Sequence, residues 1–274
     1  MDAALDGEQK RPRLSPSSRA TSIVFPAFNE EERLGDLFAA LALADRDLAD
    51  AGLEYVEAVI VDDGSSDRTA EVLQAAAGAD ARIRPVLGRS ENIGKGRALR
   101  EGVAAAQGEL VLFADVDLST PLSETCKLVA GIERSGAGIA IGSRDKPGSV
   151  VEAPLHRRLL GAGFNLAVRM LTHLDYADTQ CGFKLMSVEV ARELMKDQIS
   201  SGFAFDVELL LRAEQAGIGV VEVPVSYFHD DRSKVRIPRA SIAMARDLVV
   251  MSRKIRRDGT RPRAKRRSGG ESPS

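Results

Sequence analysis

The stretch Leu110-Val111-Leu112-Phe113-Ala114-Asp115-Val116-Asp117 decides the fold, because it joins a continuous apolar run to two carboxylates. An apolar run of this length is typical of a strand that is buried on both faces of a sheet. We therefore predict a strand from Glu109 to Ala114, followed directly by the two aspartates. The carboxylates then lie at the carboxyl end of the strand, where open α/β sheets bind their ligands.

Upstream of this stretch, apolar strands alternate with helical segments. Strands are predicted at 21–25, 55–61 and 83–87, and helices at 29–48 and 69–77. A glycine-rich loop at 92–96 opens a third helix, which extends to about residue 106. This alternation indicates an α/β fold with a mostly parallel central sheet, right-handed crossovers and flanking helices. The polar clusters that follow the strands would then meet at one edge of the sheet; they are Asn29/Glu30, Asp62/Asp63, Asn92/Lys95 and Asp115/Asp117.

The length and composition are enough to bury one large core, or at most two modest ones. The chain has 274 residues and a net charge of −2, which argues against a nucleic-acid-coating protein. We predict a disordered tail over 1–20, the domain over 21–238, an amphipathic helix over 239–257 and a basic disordered tail over 258–274. The two cysteines match no zinc pattern and are too few for a disulfide scaffold, so a reduced cytosolic compartment is expected. Apolar runs stay shorter than the roughly 18 residues of a membrane span.

Three short patterns carry candidate chemistry. Asp115 and Asp117 could share a hard cation, Mg²⁺ or Mn²⁺, that bridges a diphosphate; the alternative is a loop with two solvated acids. Asp62 and Asp63 could accept hydrogen bonds from a ribose or a base, or they could form only a turn before a helix capped by Asp67. The sequence Asn-Ile-Gly-Lys-Gly at 92–96 could bring backbone N–H groups and an ammonium to a phosphate, or form a simple tight turn.

Two familiar nucleotide signatures do not match. The Walker pattern fails at Arg89 and Gly96, and no G-x-G-x-x-G follows the first strand. These mismatches argue against an ATPase and against a nicotinamide dehydrogenase.

Taken together, the patterns resemble family-2 glycosyltransferases with the GT-A fold, over about 21–236. The matching stretches are Ser-Ile-Val-Phe-Pro-Ala-Phe-Asn-Glu at 22–30, Val-Asp-Asp-Gly-Ser-Ser-Asp at 61–67 and Asp-Val-Asp at 115–117. The resemblance implies metal binding by Asp115 and Asp117. It also implies nucleotide or diphosphate binding by a larger set: Pro26, Phe28, Glu30, Asp62, Asp63, Lys95 and Asp115.

The second half resembles one subgroup. Asp-Thr-Gln-Cys-Gly-Phe-Lys at 178–184 is similar to the motif of dolichyl-phosphate β-glucosyltransferases, and Phe-Asp-Val-Glu-Leu at 205–209 agrees with it. This resemblance implies a UDP-sugar donor, with UDP-glucose expected. It gives catalytic roles to Asp117, Asp178 and Lys184, the last two lining the sugar and acceptor pocket. GDP-mannose, another UDP-hexose or an N-acetylhexosamine donor stays open.

The acceptor is expected to be a polyprenyl phosphate. The sequence has no Glu-Asp or Thr-Asp pair at the family's usual general-base position, and a phosphate needs no base because it is already anionic. Cations and a hydroxyl would hold it or the diphosphate, and the candidates are Arg144, Arg157, Arg158, Ser233, Lys234 and Arg236. The expected reaction is an inverting displacement that yields a β-linked polyprenyl phosphosugar. A soluble hydroxyl acceptor, a nucleotidyltransferase and a non-catalytic nucleotide-sugar-binding protein are the alternatives.

The segment 240–255 predicts a helix with an apolar face and a basic end. Such a helix suits an anionic membrane surface, and the alternative is a helix that packs on the catalytic domain. The expected location is therefore cytoplasmic, with peripheral attachment at the inner face of the plasma membrane.

Overall fold

Nine strands and eight α-helices make up the described part of the chain. The structure is a computed structural model that describes residues 19–88, 90–230, 232, 248 and 251. The strands are β1 Ala20–Ala27, β2 Glu54–Asp62, β3 Ile83–Val86, β4 Leu110–Phe113, β5 Ile139–Ser143, β6 Val150–Glu152, β7 Lys184–Ser187, β8 Val220–Pro224 and β9 Ser226–Phe228. The helices are α1 Leu34–Leu41, α2 Ala44–Asp50, α3 Thr69–Ala79, α4 Lys95–Ala105, α5 Thr125–Ser135, α6 Leu155–Thr172, α7 Val188–Met195 and α8 Phe205–Gln215, and a short 3₁₀ turn covers Leu122–Glu124.

Seven of the strands form one sheet in the order β3-β2-β1-β4-β7-β5-β8. All neighbours are parallel except β7, which runs antiparallel to both β4 and β5. A second, two-stranded sheet pairs β6 with β9 in parallel. The prediction of an α/β fold with a mostly parallel central sheet is confirmed.

Alternate residues of β1 serve two cores, one on each face of the sheet. Val24 packs in the cluster that contains Leu99 and Val103 of α4, whereas Ile23 and Phe25 pack in the cluster that contains α1 and α2. A Cβ at Gly102 would lie 2.3 Å from Cγ1 of Val24. This glycine therefore lets α4 approach β1 closely, and the approach fixes the loop that precedes α4 beside the end of β4.

Three sequence predictions need correction or completion. The helix predicted over 29–48 is two helices, α1 and α2, because the chain turns between Leu41 and Ala44. The antiparallel strand β7 and helix α5 were not predicted. The first strand begins at Ala20, one residue before the predicted domain start.

The predicted helix over 239–257 falls almost wholly outside the described residues. Leu248 and Met251 are described, and both are fully buried in the core that contains α4 and α8. The two predicted tails lie outside the described residues, apart from Arg19 and Ala20. Within the described part, no helix combines the length and the apolar character needed to cross a membrane.

Candidate active site

A cleft of about 400 Å³, part of it open to solvent, lies where β4 ends. Its walls come from the loop after β4, the residue after β5, the loop before β7 and strand β9. The lining residues are Asp115, Asp117, Ser119, Thr120, Arg144, Gln180, Cys181, Gly182, Phe183 and Tyr227. The strand order brings these segments together, because β4, β7 and β5 are neighbours in the sheet.

Asp115 and Asp117 follow the carboxyl end of the buried strand β4, as the apolar run predicts. The Lys95 ammonium lies 2.6 Å from Oδ1 of Asp115. The backbone N–H of Ser119 donates to Oδ1 of Asp117 at 3.0 Å. The two neighbouring carboxylates therefore have different partners, a cation for Asp115 and a backbone amide for Asp117.

The pKa values of the two carboxyls shift in opposite directions. Burial raises the pKa of Asp117, and the charge of Asp115 raises it further. Burial also opposes the charge of Asp115, but Lys95 outweighs it and the pKa of Asp115 falls below its ordinary value. Burial disfavours the Lys95 ammonium too, yet Asp115 and Asp206 together raise the pKa of Lys95 to about 12. At neutral pH Lys95 and Asp115 are therefore a charged pair.

The Asp115–Asp117 pair fits a hard divalent cation. A cation placed between the two carboxylates would relieve the repulsion that raises the pKa of Asp117. Among the described residues, no group of three or more His, Cys, Asp or Glu side chains is arranged to hold a metal ion. The remaining ligands of a cation bound here would therefore come from outside these side chains, from water or from the oxygens of a diphosphate.

The loop after β1 is tied to the loop after β2. Asn29 adopts the left-handed conformation with φ of 57°, its backbone N–H donates to the Ser65 hydroxyl at 2.8 Å, and its side-chain oxygen accepts from the Ser66 N–H at 2.8 Å. The next N–H, that of Glu30, donates to the Thr69 hydroxyl at 2.8 Å. Pro26 lies within β1, and the Phe28 side chain is exposed. This bracing holds Phe28 and Glu30 at the carboxyl edge of the sheet.

Asp62 and Asp63 are both buried, and their carboxylates bind backbone amides. Oδ1 of Asp62 accepts from the Ser65 N–H at 3.1 Å. Asp63 accepts from the N–H groups of Ile93 and Gly94 at 3.1 and 2.7 Å. Asp63 therefore connects the loop after β2 to the start of α4.

On the opposite wall, Arg144 pairs with Asp178 through two parallel hydrogen bonds. Nε donates to Oδ2 at 2.6 Å and Nη2 donates to Oδ1 at 2.9 Å. The guanidinium also lies over the ring of Tyr227, with its carbon 5.3 Å from the ring centre. Asp178 is fully buried, so it orients Arg144 from behind, and Arg144 is the member of the pair that lines the cleft.

Lys184 occupies a different place from the one predicted. Its side chain is fully buried in β7, and its ammonium donates to Asp206 and to the Cys181 carbonyl. It is not among the described residues that line the cleft. The expectation that Lys184 and Asp178 line the pocket is therefore corrected: both lie directly behind residues that do.

The other residues predicted to bind the acceptor or the diphosphate lie at the start of α6 or outside the described part. Arg157 and Arg158 lie in the first turn of α6, where the Arg158 side chain is exposed. The side chain of Arg157 is outside the described part, and so are Ser233, Lys234 and Arg236.

The structure adds Asp206 and Tyr227 to the site. Asp206 is the second residue of α8, and burial raises its pKa despite the opposing effect of Lys184. The signal for Asp206 was its place in the motif at 205–209. Tyr227 lies in the short strand β9, and no motif in the neighbouring sequence predicts that it belongs to the site.

Comparisons with known proteins agree with this geometry. The family model described as glycosyl transferase family 2 matches residues 22–195. The chain belongs to this family. It is 35% identical over 246 residues to a dolichyl-phosphate beta-glucosyltransferase of Trichomonas vaginalis, covering 87% of this chain and 72% of that protein. It is 34% identical over 246 residues to the dolichyl-phosphate beta-glucosyltransferase of Homo sapiens, covering 85% and 75%.

A solved structure shares the architecture. Glucosyl-3-phosphoglycerate synthase from Mycobacterium tuberculosis, in complex with Mn²⁺ and UDP-glucose, aligns with a TM-score of 0.62 at 21% identity. The alignment covers 85% of this chain and 79% of that one. This likeness confirms the GT-A fold, and family membership makes the chain a glycosyltransferase.

Proposed function

We propose that this glycosyltransferase moves glucose from UDP-glucose to a polyprenyl phosphate, with inversion at the anomeric carbon. The products are a β-linked polyprenyl phosphoglucose and UDP. The names of the relatives support the class of acceptor and the sugar. The GT-A fold supports a nucleotide-sugar donor.

The observation that carries the proposal is the chemistry of the cleft lining. Asp115 and Asp117 are its only carboxylates within the described residues, and both are suited to a cation. The nearby acids are already engaged, Asp178 by Arg144 and Asp206 by Lys184. A hydroxyl acceptor would need a free base, whereas a phosphate monoester brings its own anionic nucleophile.

In the proposed reaction, a phosphate oxygen of the lipid forms a bond to the anomeric carbon while the bond to the diphosphate breaks. UDP leaves with the bonding electrons, and no proton has to be removed from the acceptor. Asp115 and Asp117 would hold Mg²⁺ or Mn²⁺, which neutralises charge on the departing diphosphate when bound. Arg144, kept in one orientation by Asp178 and Tyr227, would bind the acceptor phosphate on the opposite wall.

The test is a transfer assay with a panel of labelled nucleotide sugars. Purified protein, Mg²⁺ and a short-chain polyprenyl phosphate are mixed with each donor, and label in the organic phase is counted. We expect label from UDP-glucose. Label only from GDP-mannose would overturn the donor, label only from another UDP-sugar would overturn the sugar, and label that appears only on added soluble sugars would overturn the acceptor.

We also propose that the protein meets its lipid at a membrane surface, at the cytoplasmic face of the plasma membrane. Support comes from the basic residues over 239–257 and over 258–274, because Leu248 and Met251, which belong to the apolar part of the first segment, are buried in the core. The full-length protein should co-sediment with vesicles that contain anionic lipid and stay in solution with neutral vesicles. Equal sedimentation with both, or with neither, would contradict an electrostatic attachment.

A further inference from the structure

Five charged side chains form a row that runs from the cleft into the core. We call them the charge row; from the cleft inward they are Asp117, Asp115, Lys95, Asp206 and Lys184. From Asp115 inward, negative and positive side chains alternate. The Lys95 ammonium contacts Asp115 at 2.6 Å, and the Lys184 ammonium contacts Asp206. Lys184 also donates to the carbonyl of Cys181, the residue before Gly182, and the charge of Asp206, like that of Asp115, raises the pKa of Lys95. Lys95 therefore lies between two carboxylates, one at the cleft and one in the core.

Two glycines make room for this arrangement. A Cβ at Gly182 would lie 2.5 Å from Oδ2 of Asp115 and 3.1 Å from Nζ of Lys95. A Cβ at Gly96 would lie 2.5 Å from Cβ of Phe205, the residue before Asp206. The start of α4 is therefore pressed against the start of α8, which keeps Lys95 within range of Asp206.

A divalent cation at Asp115 would compete with Lys95 for the same carboxylate. An ammonium and a divalent cation on one carboxylate repel each other strongly in a partly buried site, where the effective dielectric is well below that of water. The charge row has three carboxylates and two ammonium groups, so its net charge is −1. A divalent cation would make it +1, which suits the anionic diphosphate of the donor.

We propose that Lys95 and the divalent cation exchange places on Asp115, and that Asp206 is the positioning residue that receives Lys95. Lys95 thereby lowers the affinity of the site for a cation, and Asp206 restores part of that affinity by attracting the ammonium away. This inference rests on the proposed function only through the shared cation site at Asp115 and Asp117.

The test measures Mn²⁺ binding to the full-length protein without nucleotide, sugar or lipid, by electron paramagnetic resonance of free Mn²⁺. Lys95→Met should bind Mn²⁺ at least about tenfold more tightly than the wild type, because the competing ammonium is gone. The matched control is Lys127→Met, which removes an ammonium that pairs with Glu124 on the surface. The control should bind Mn²⁺ like the wild type.

A double-mutant cycle separates the action of Asp206 through Lys95 from its own charge. Asp206→Asn should weaken Mn²⁺ binding about threefold or more in the wild type, and clearly less in the Lys95→Met protein. If Asp206→Asn does not fold, the cycle is repeated in a Lys184→Met background, where the buried ammonium that it would strand is absent. Melting curves establish that each variant is folded.

The outcomes test the exchange on Asp115 and the role of Asp206 separately. Unchanged or weaker Mn²⁺ binding by Lys95→Met overturns the exchange, and an equal effect of Asp206→Asn in both backgrounds overturns the role of Asp206. Either result leaves the transfer assay of the proposed function untouched. If neither the wild type nor any variant binds Mn²⁺, the cation site at Asp115 and Asp117 is rejected, and the proposed exchange with it.

Discussion

Two Lys–Asp pairs stand side by side in the site, and they differ in exposure. Lys95 and Asp115 keep 15% and 39% of their side-chain surface exposed, whereas Lys184 and Asp206 keep 0% and 3%. The first pair borders the cleft, and the second is sealed beneath it. The same residue types therefore serve different ends: the open pair can exchange partners with a ligand, and the closed pair keeps the floor of the site in place.

Breaking the closed pair should have the largest effect on stability. Lys184→Met leaves Asp206 as a buried carboxylate without its main partner, which should lower the free energy of unfolding by about 3–5 kcal/mol. Chemical denaturation followed by circular dichroism measures this loss. The double variant Lys184→Met/Asp206→Leu should recover most of it, since both charges are gone. A Lys184→Met protein within about 1 kcal/mol of the wild type would show that the closed pair does not support the fold.

Breaking the open pair should instead affect transfer. Asp115→Asn should reduce kcat/KM by about 10²–10³-fold, because a neutral amide binds a hard cation poorly and charge on the leaving diphosphate is then less well stabilised. The free energy of unfolding should change by less than about 1 kcal/mol, because the Lys95 ammonium still has the Asp206 carboxylate nearby. The control is Asp50→Asn, an exposed aspartate at the end of α2. Full activity of Asp115→Asn would remove the cation from this position.

On the opposite wall, breaking the contact between Arg144 and Tyr227 should have a smaller effect. Tyr227→Leu removes the ring beneath Arg144, an interaction of about 0.5–2 kcal/mol, so the KM for the lipid acceptor should rise about two- to thirtyfold with little change in kcat. Tyr227→Phe keeps the ring and should behave like the wild type. Initial rates at varied acceptor concentration separate KM from kcat. A fall in kcat with unchanged KM would show that the ring acts on another step.

The smallest expected effect concerns the accessibility of Cys181, which a thiol reagent can measure. Cys181 is buried, and burial raises the pKa of its thiol to about 11, whereas Cys126 is exposed. At pH 8 the thiol of Cys181 therefore stays protonated and inaccessible, and a thiol reagent should modify one cysteine per native chain, Cys126. Unfolded protein should react at both. Rapid modification of Cys181 in the native protein would mean that the part of the cleft wall around Cys181 opens readily.

Much of the fold could be predicted from the sequence because the strands before Asp115 are apolar and each is followed by polar residues. The break between α1 and α2 could not, since Leu41, Ala44 and Leu48 are all buried and the helical spacing of apolar residues continues across it. Strand β7 was hidden because its four residues begin with a lysine, a residue type that is rarely buried.

The site was predicted less completely, and the two lysines show why. Lys95 and Lys184 both lie in recognisable motifs, and a motif places a residue near the site without saying which way its side chain faces. Lys184 turns inward because β7 is buried between β4 and β5. Arg144 and Tyr227 meet only through pairing between strands that are distant in the sequence, so their contact has no local signature.

The central claim is that the acceptor supplies its own anionic nucleophile, and the most direct measurement compares two acceptors that differ only in this group. A short-chain polyprenyl phosphate and the matching polyprenyl alcohol are each incubated with labelled UDP-glucose, Mg²⁺ and the wild-type protein. We expect label in the organic phase with the phosphate, in a β-linked product, and only background with the alcohol. Comparable transfer to the alcohol would mean that the protein supplies a base, and it would contradict this account.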